Sequence, residues 1–521
     1  MQGARKTGTG KVARMDSRPG SQQEQGGRFQ QAMWRTSDAP LRQGNEIGLL
    51  KNGPATYEDW LAAIGGARRW VHLENYIFAE NVGRQFADAL CEKATEGVPV
   101  RVIYDWYGCT DVWVSNSFWR KLRRAGVEVR VANPPSLSRE IRRFVARDHR
   151  KVVGVDGSYA SVGGICIADG WLERSSETGL IYRDTAANLR GPAVADVERA
   201  FAGTWDLFGE KPLPDGERPE ANSIEAAGEK AARVVIQEPG RARVLRTLEA
   251  LLATASERMW IADAYFLSAP TLTQALMSAA RDGVDVRLLL PATNDVRWVG
   301  ALSRAGYGPL LEAGVRIFEY GGPMMHAKTH VVDGRFSRVG STNLNFSGLL
   351  ANWEADLMVE DPSFGAQMDE MFEGDLENSR EVRLVVNPGA RRPRPTPERP
   401  ISAAQRRDGR RTRRGSLPSS LRGSSGATPA TLSRVGGQAI RGTNDGASLH
   451  AQERKIRAAV SAGVLGLSLL AARHPRLLAW PQAAAGILSG GLGLLHAARR
   501  GSLDGGTSES AARETRDRRE D

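Results

Sequence analysis

"ARDHRKVVGVDGSYASVGG" spans Ala146 to Gly164, and "MMHAKTHVVDGRFSRVGSTN" spans Met324 to Asn343. Both carry one pattern: a histidine, one residue, a lysine, four residues, an aspartate. It falls on His149, Lys151 and Asp156 in the first stretch and on His326, Lys328 and Asp333 in the second. The valine-containing run after each lysine reads as a strand. Residues two apart on a strand share a face, so each His–Lys pair points one way. Asp156-Gly157 and Asp333-Gly334 mark a turn. A second short apolar run follows each turn and ends in small residues, Gly163-Gly164 and Gly340-Ser341, which let backbone or a substrate approach closely. One His-x-Lys is common by chance and usually structural. Two copies in the same local setting read as one active site divided between two halves.

The halves extend outward from these stretches. "TYEDWLAAIGGARRWVHLENYIF" reads as a helix followed by a strand, and the order repeats twice before His149. "VLRTLEALLATASERMWIADAYFL" and "LTQALMSAARDGVDVRLLLP" restart it before His326. "GVPVRVIYDW" at Gly97 is echoed by "GVDVRLLLPA" at Gly283. The expectation is an α/β protein with a mainly parallel sheet, built from two copies of one unit. The first copy is placed at 41–210 and the second at 233–384, with a polar Pro/Gly linker at 211–232. Residues 1–40 read as a disordered basic tail and 385–454 as a disordered Arg-rich tail. Residues 455–499 are an apolar helical segment, broken at Arg473-His474-Pro475-Arg476 and flanked by arginines, which reads as a membrane contact; 500–521 reads as disordered.

The net charge of +11 points to an anionic partner. It is carried by the tails: Arg391 to Arg414 holds ten arginines against Glu398 and Asp408, and the first eighteen residues hold five basic groups against Asp16. The remainder is close to neutral, which argues against a broad nucleic-acid-binding face and for tails that touch an anionic membrane surface. Three cysteines, Cys91, Cys109 and Cys166, form no CxxC pair and suit reduced thiols. The polar N-terminus carries no expectation of a signal peptide.

Two imidazoles and two ammonium groups brought into one pocket suit phosphodiester chemistry. The lysines hold phosphate oxygens, one histidine attacks phosphorus, and the other protonates the leaving alcohol and then activates the incoming one. No metal or other cofactor is needed. "HAKTH" offers His326 and His330 four apart, but in a strand, without a glutamate at the second position, and with Lys328 repelling a cation, so a zinc reading is set aside. His330 reads as structural, as do His72, His450, His474 and His496.

These stretches resemble the phospholipase D superfamily, and within it most nearly the bacterial cardiolipin synthases of the phospholipase D type. The likeness runs through "WVHLENYIF", "GVPVRVIYDWYG", the two His-x-Lys stretches and "NWEADLMVED", over about residues 45 to 375. It implies two α/β/α lobes related by a pseudo-twofold axis, a phosphohistidine mechanism and a phospholipid substrate. It gives His149 the nucleophile's role and His326 that of acid and base. Asp156 and Asp333 are expected to orient or charge-balance the site, and Asn343 and Ser341 to bind phosphate. Glu354 is expected to hydrogen-bond a catalytic histidine across the pocket, with Gly163 and Gly164 also at the substrate. Two departures stand out: Cys166 occupies an asparagine position of the family, and Ala186 and Arg190 replace a histidine and an acid. The function implied is synthesis of cardiolipin from two phosphatidylglycerols. The alternatives are a hydrolytic phospholipase D, a nuclease and a membrane-binding scaffold. The protein is expected to act as a monomer, without nucleic acid, on anionic phospholipid at the cytoplasmic face of the bacterial inner membrane. It would sit there peripherally or be anchored by the C-terminal apolar segment.

Overall fold

The computed structural model describes residues 22–384, apart from 111, 113, 135–145 and 173–180. The apolar segment at 455–499 and the tails at 385–454 and 500–521 lie outside the described residues, as does the start of the N-terminal tail. No helix among the described residues is long and apolar enough to cross a membrane.

Short Val/Ile/Leu-rich runs supply the strands. The first half holds β1 (Arg42–Lys51), β2 (Val71–Asn75), β3 (Val100–Asp105), β4 (Glu128–Ala132), β5 (Lys151–Val155), β6 (Tyr159–Gly163) and β7 (Thr185–Arg190). The second holds β8 (Lys230–Gln237), β9 (Arg258–Ala262), β10 (Asp285–Pro291), β11 (Arg316–Tyr320), β12 (Thr329–Val332), β13 (Phe336–Gly340), β14 (Glu354–Glu360) and β15 (Ser379–Val382). They form one sheet in the order β15-β11-β10-β9-β12-β13-β14-β8-β1-β7-β6-β5-β2-β3-β4. Without the edge strand β15 this order is the same from both ends, each strand of one half standing where its counterpart stands in the other. The centre falls between β8 and β1, which pair antiparallel. Strands β6 and β7 pack on β13 and β14, and Val162, Ala187 and Leu189 share a buried cluster with Val339, Ala355 and Leu357. The two halves are therefore joined by core.

The sheet is mixed rather than mainly parallel. Only β2-β3-β4 and β9-β10-β11 run parallel, each step crossing over through a helix such as Glu80–Thr95 or Pro270–Arg281. Around the His-x-Lys stretches the pairing is antiparallel: the three-residue turns of β5–β6 and β12–β13 are too short for a crossover, and β5 and β12 also run antiparallel to β2 and β9. Asp156 (φ 56°) with Gly157 (φ 67°), and Asp333 (φ 50°) with Gly334 (φ 63°), take consecutive left-handed conformations, the geometry a tight hairpin demands.

Two boundary expectations are corrected. Residues 1–40 are not disordered throughout, since Gln22–Ser37 is a helix. Met33 on it is buried in the second half's core, Phe29 lies 4.9 Å from the Phe336 ring, and Arg246 Nη2 donates to the Arg35 carbonyl at 2.7 Å. So polar a helix is stable through this docking rather than through its own propensity. The linker at 211–232 is likewise held. Glu217 within it accepts from Arg101 Nε and Nη2, both at 2.7 Å, and meets His72 Nε2 at 2.9 Å, and β8 already begins at Lys230.

Candidate functional site

Each His-x-Lys stretch is tied by its backbone to the opposite half. His149 N donates to the Trp353 carbonyl at 2.9 Å and Trp353 N to the Arg147 carbonyl at 2.9 Å. In the same way His326 N donates to the Arg183 carbonyl at 2.7 Å and Arg183 N to the Met324 carbonyl at 3.0 Å. These paired bonds set each histidine beside the acidic residue that follows its partner segment. His149 Nδ1 meets Glu354 Oε2 at 2.9 Å and Oε1 at 3.1 Å. His326 Nδ1 meets Asp184 Oδ2 at 2.7 Å. The carboxylate of each half thus holds the histidine of the other.

Both acids are fixed in turn. Glu354 accepts from Ser341 Oγ at 2.6 Å and Asn352 Nδ2 at 3.1 Å. Asp184 accepts from Trp171 Nε1 and Thr185 N, both at 2.8 Å. The lysines curl back on their own segments: Lys151 Nζ donates to the His149 carbonyl at 2.5 Å, and Lys328 Nζ donates to the His326 carbonyl and lies 2.7 Å from His326 Nδ1. Aromatic rings wall the pocket. Tyr76 packs edge-on to His149 at 4.8 Å, and Trp171, Tyr182 and Tyr265 surround His326 at 5.0, 5.8 and 5.7 Å.

Burial sets the electrostatics, since both lysines are fully enclosed. Burial first, and the Lys151 and Lys328 ammoniums second, hold the His149 imidazole well below its usual value, favouring the neutral ring. Burial and Lys328 lower His326 to about 3. Lys328 is itself lowered by burial to about 8, although Asp184 opposes the shift. Burial raises Glu354 to about 8 against the pull of Lys151. For Asp184 burial is outweighed by Lys328 and His326, and the carboxyl stays below its usual value.

The structure brings His149, Lys151, His326, Lys328 and Glu354 into one place. Ser341 is there too, but its hydroxyl is committed to Glu354. Asn343 is buried, with an Oδ1 that has no hydrogen-bond partner. Asp156 and Asp333 do not orient or charge-balance the site, and their placement is a correction. The Asp156 carboxylate accepts from the backbone amides of Arg68, Arg69 and Trp70 at 2.7 to 3.2 Å. Asp333 does the same for Ser256, Glu257 and Arg258, each at 2.9 Å. Each aspartate stands five positions beyond its lysine along the strand, about 16 Å at about 3.3 Å per residue. The aspartates staple the turn to the start of β2 and β9. Gly163 has a packing role: a Cβ there would lie 2.5 Å from the Ala186 Cα of the neighbouring strand. Gly164 does belong to the site, because a Cβ would lie 2.3 Å from Asp184 Oδ1.

Residues 60–205 and 248–376 match the family described as "Cardiolipin synthase, PLD-like domain". The chain belongs to that family. Among curated relatives, the cardiolipin synthase of Geobacillus kaustophilus (strain HTA426) is 34% identical over 335 residues, covering 63% of this chain and 65% of that protein. The cardiolipin synthase of Alkalihalophilus pseudofirmus is 32% identical over 352 residues, covering 67% of this chain and 69% of the relative. The chain thus spans 65% of the Geobacillus protein's length. A crystal structure of phosphatidylserine synthase from Haemophilus influenzae Rd KW20 superposes with a TM-score of 0.53 at 15% identity, over 68% of this chain and 92% of that one, a likeness of fold.

Two site residues of this family member escaped the sequence reading. Asp184 is the counterpart of Glu354, but it follows His149 by 35 residues where Glu354 follows His326 by 28, so equal spacing does not reveal it. The other is Asp263, at the end of β9. It accepts from Tyr265 N at 3.0 Å and Leu344 N at 2.8 Å and is raised by burial to about 6 against the pull of Lys328 among others. Its counterpart beside Lys151 is Asn75, whose Oδ1 accepts from Ile167 N at 3.3 Å. Cys166, in the position matching Asn343, is buried against the first half's core. Ala186 is buried in β7.

Proposed function

We propose that this protein is a phosphatidyltransferase working through a phosphohistidine, and that it joins two phosphatidylglycerols into cardiolipin with release of glycerol. Two lobes related by a pseudo-twofold axis would share the one site. The observation that carries the reading is the crossed pairing of each histidine with the other half's carboxylate, above two buried lysines. With Nδ1 engaged, Nε2 is the nitrogen of each ring available for chemistry.

The phosphodiester anion enters between Lys151 and Lys328, and Asn343 adds a polar contact. In the first step His149 Nε2 attacks phosphorus, and the bond to the glycerol headgroup oxygen breaks. His326 gives that oxygen its proton. In the unliganded site His326 is held neutral, but an arriving anion offsets the two ammoniums and raises its proton affinity. Glu354 accepts the Nδ1–H of His149, which keeps the Nε2 lone pair free and stabilises the charge that develops on the ring. In the second step the hydroxyl of another phosphatidylglycerol loses its proton to His326 and attacks phosphorus. The P–N bond breaks and His149 is regenerated. On this reading the protein works as a monomer on anionic phospholipid at the cytoplasmic face of the bacterial inner membrane.

The test is thin-layer analysis of lipids after incubation with phosphatidylglycerol alone. Cardiolipin and glycerol in equal amounts are expected. Phosphatidic acid as the main product would mean that water takes the acceptor's place, and no turnover would refute the proposal.

A further inference from the structure

Large apolar side chains are exposed at few described positions, and three of them lie on segments fastened around Tyr265. Trp298 is 42% exposed, Leu302 53% and Phe346 47%. Trp298 and Leu302 stand four apart on the helix Arg297–Ala305 and so share one face. Val299 of that helix is buried with Tyr265 and Met324, and Tyr182, Leu267 and Val296 pack half-buried around them. Tyr265 and Tyr182 are two of the rings around His326.

The exposed residues are carried by segments fastened to the same shoulder. Asn294 Nδ2 donates to the Ala264 carbonyl at 3.1 Å, and the Tyr265 hydroxyl bonds Asp295 at 2.9 Å. Asn345, beside Phe346, donates from Nδ2 to the Tyr265 carbonyl at 3.3 Å. Tyr265 thus ties the ring wall around His326 to the two segments that expose Trp298, Leu302 and Phe346.

We infer that these three side chains form a membrane-docking rim, which seats the mouth of the site in the headgroup–acyl boundary of an anionic phospholipid bilayer. The inference rests on the lipid substrate proposed above. A diacyl substrate must bring its phosphate to two buried lysines while its chains stay out of water, and a rim tied to the ring wall allows both. Tryptophan and leucine on one helix face suit an interface rather than a bilayer interior. The basic stretches outside the folded halves, Arg391 to Arg414 among them, favour an anionic surface for the chain as a whole.

The full-length Trp298→Ser/Leu302→Ser variant tests this, since both side chains are exposed. Turnover is measured on equimolar phosphatidylglycerol/phosphatidylcholine vesicles and on short-chain phosphatidylglycerol below its micellar concentration, together with co-sedimentation on the same vesicles. Vesicle turnover and binding should each fall by at least about tenfold, a change worth about 1.4 kcal/mol, while turnover of the monomeric lipid stays at the wild-type level. Equal loss on both substrates, or no loss on either, overturns the docking surface. Lipid-free self-association of the wild type that the variant abolishes would also overturn it and make the rim a protein interface. Should the wild type turn over neither lipid, the substrate reading fails, and co-sedimentation of the variant still decides the docking claim.

Discussion

Gly164→Ala places a methyl group where the structure has room for none. An added Cβ would lie 2.3 Å from Asp184 Oδ1 and 2.9 Å from its Cγ and Oδ2. Reaching van der Waals separation requires the carboxylate to retreat by about 1 Å. Its present position is fixed by His326 Nδ1 at 2.7 Å and by Trp171 Nε1 and Thr185 N at 2.8 Å. A retreat of that size stretches the imidazole contact beyond hydrogen-bond range. Losing a hydrogen bond to a charged group costs about 1.5–3 kcal/mol, or about 10- to 150-fold in rate. Misorienting an acid–base group by 1 Å costs a similar factor, about a hundredfold. The expected result is a kcat about a hundredfold lower on detergent-dispersed phosphatidylglycerol, with KM changed by no more than about threefold, because both lysines keep the carbonyls of their own segments as partners. Thermal unfolding is followed alongside. Asp184→Asn, which adds no volume, should show the same loss in kcat, and its alkaline limb of kcat against pH should move because His326 has lost its counter-charge. Wild-type kcat in a folded Gly164→Ala or Asp184→Asn protein would refute the crossed-pair account.

Asp156→Ala and Asp333→Ala each free three backbone amides from a carboxylate; unfolding measurements should show a loss of about 1–3 kcal/mol with kcat within about twofold of wild type, and a kcat collapse in a folded variant would return the aspartates to the site. The pH profile of kcat/KM should be a narrow bell centred near pH 8. Its acid limb is deprotonation of the His149–Glu354 pair, with Glu354 raised to about 8, and its alkaline limb is loss of the Lys328 proton, also at about 8. Activity therefore rises as Glu354 ionises and falls as Lys328 becomes neutral. Glu354→Gln should lose the acid limb, and a flat profile from pH 6 to 9 would contradict the assignment. Met33→Ala should cost about 2–4 kcal/mol in denaturant unfolding and leave kcat unchanged, and an unaffected midpoint would mean that the helix Gln22–Ser37 contributes nothing to stability.

The duplicated His-x-Lys pattern made the pocket's four central groups legible, because period-two spacing and repetition survive in one dimension. Glu354 was legible through resemblance. Asp184 was not: the loop before it is longer than its counterpart, and partnership across the pocket leaves no fixed interval. The conserved-looking spacing of Asp156 and Asp333 invited a chemical role, yet a carboxylate at a left-handed turn position also satisfies amides at the head of a neighbouring strand, and sequence does not separate the two. The parallel βαβ steps were read correctly from their helix–strand alternation and then extended too far, into a region where three-residue turns force antiparallel pairing. The helix at Gln22–Ser37 was missed because its large docked apolar side chains are Phe29 and Met33, too few for a periodic signal. Asp263 and Asn75 stand at matching positions with different charge, a distinction that matters only once Lys328 and Lys151 are seen beside them.

The central claim is a phosphatidyl group carried covalently on His149 between two transfer steps. His326→Asn removes the base that activates the acceptor and should slow the second step more than the first when the donor carries a good leaving group such as p-nitrophenol. Rapid mixing of that variant with such a phosphatidyl donor, followed by alkaline quench and peptide mass spectrometry, reads the adduct directly. The account predicts a burst of about one p-nitrophenol per protein and a phosphatidyl adduct on the peptide containing His149. A burst with no adduct there, or continued turnover by His149→Asn, would contradict it.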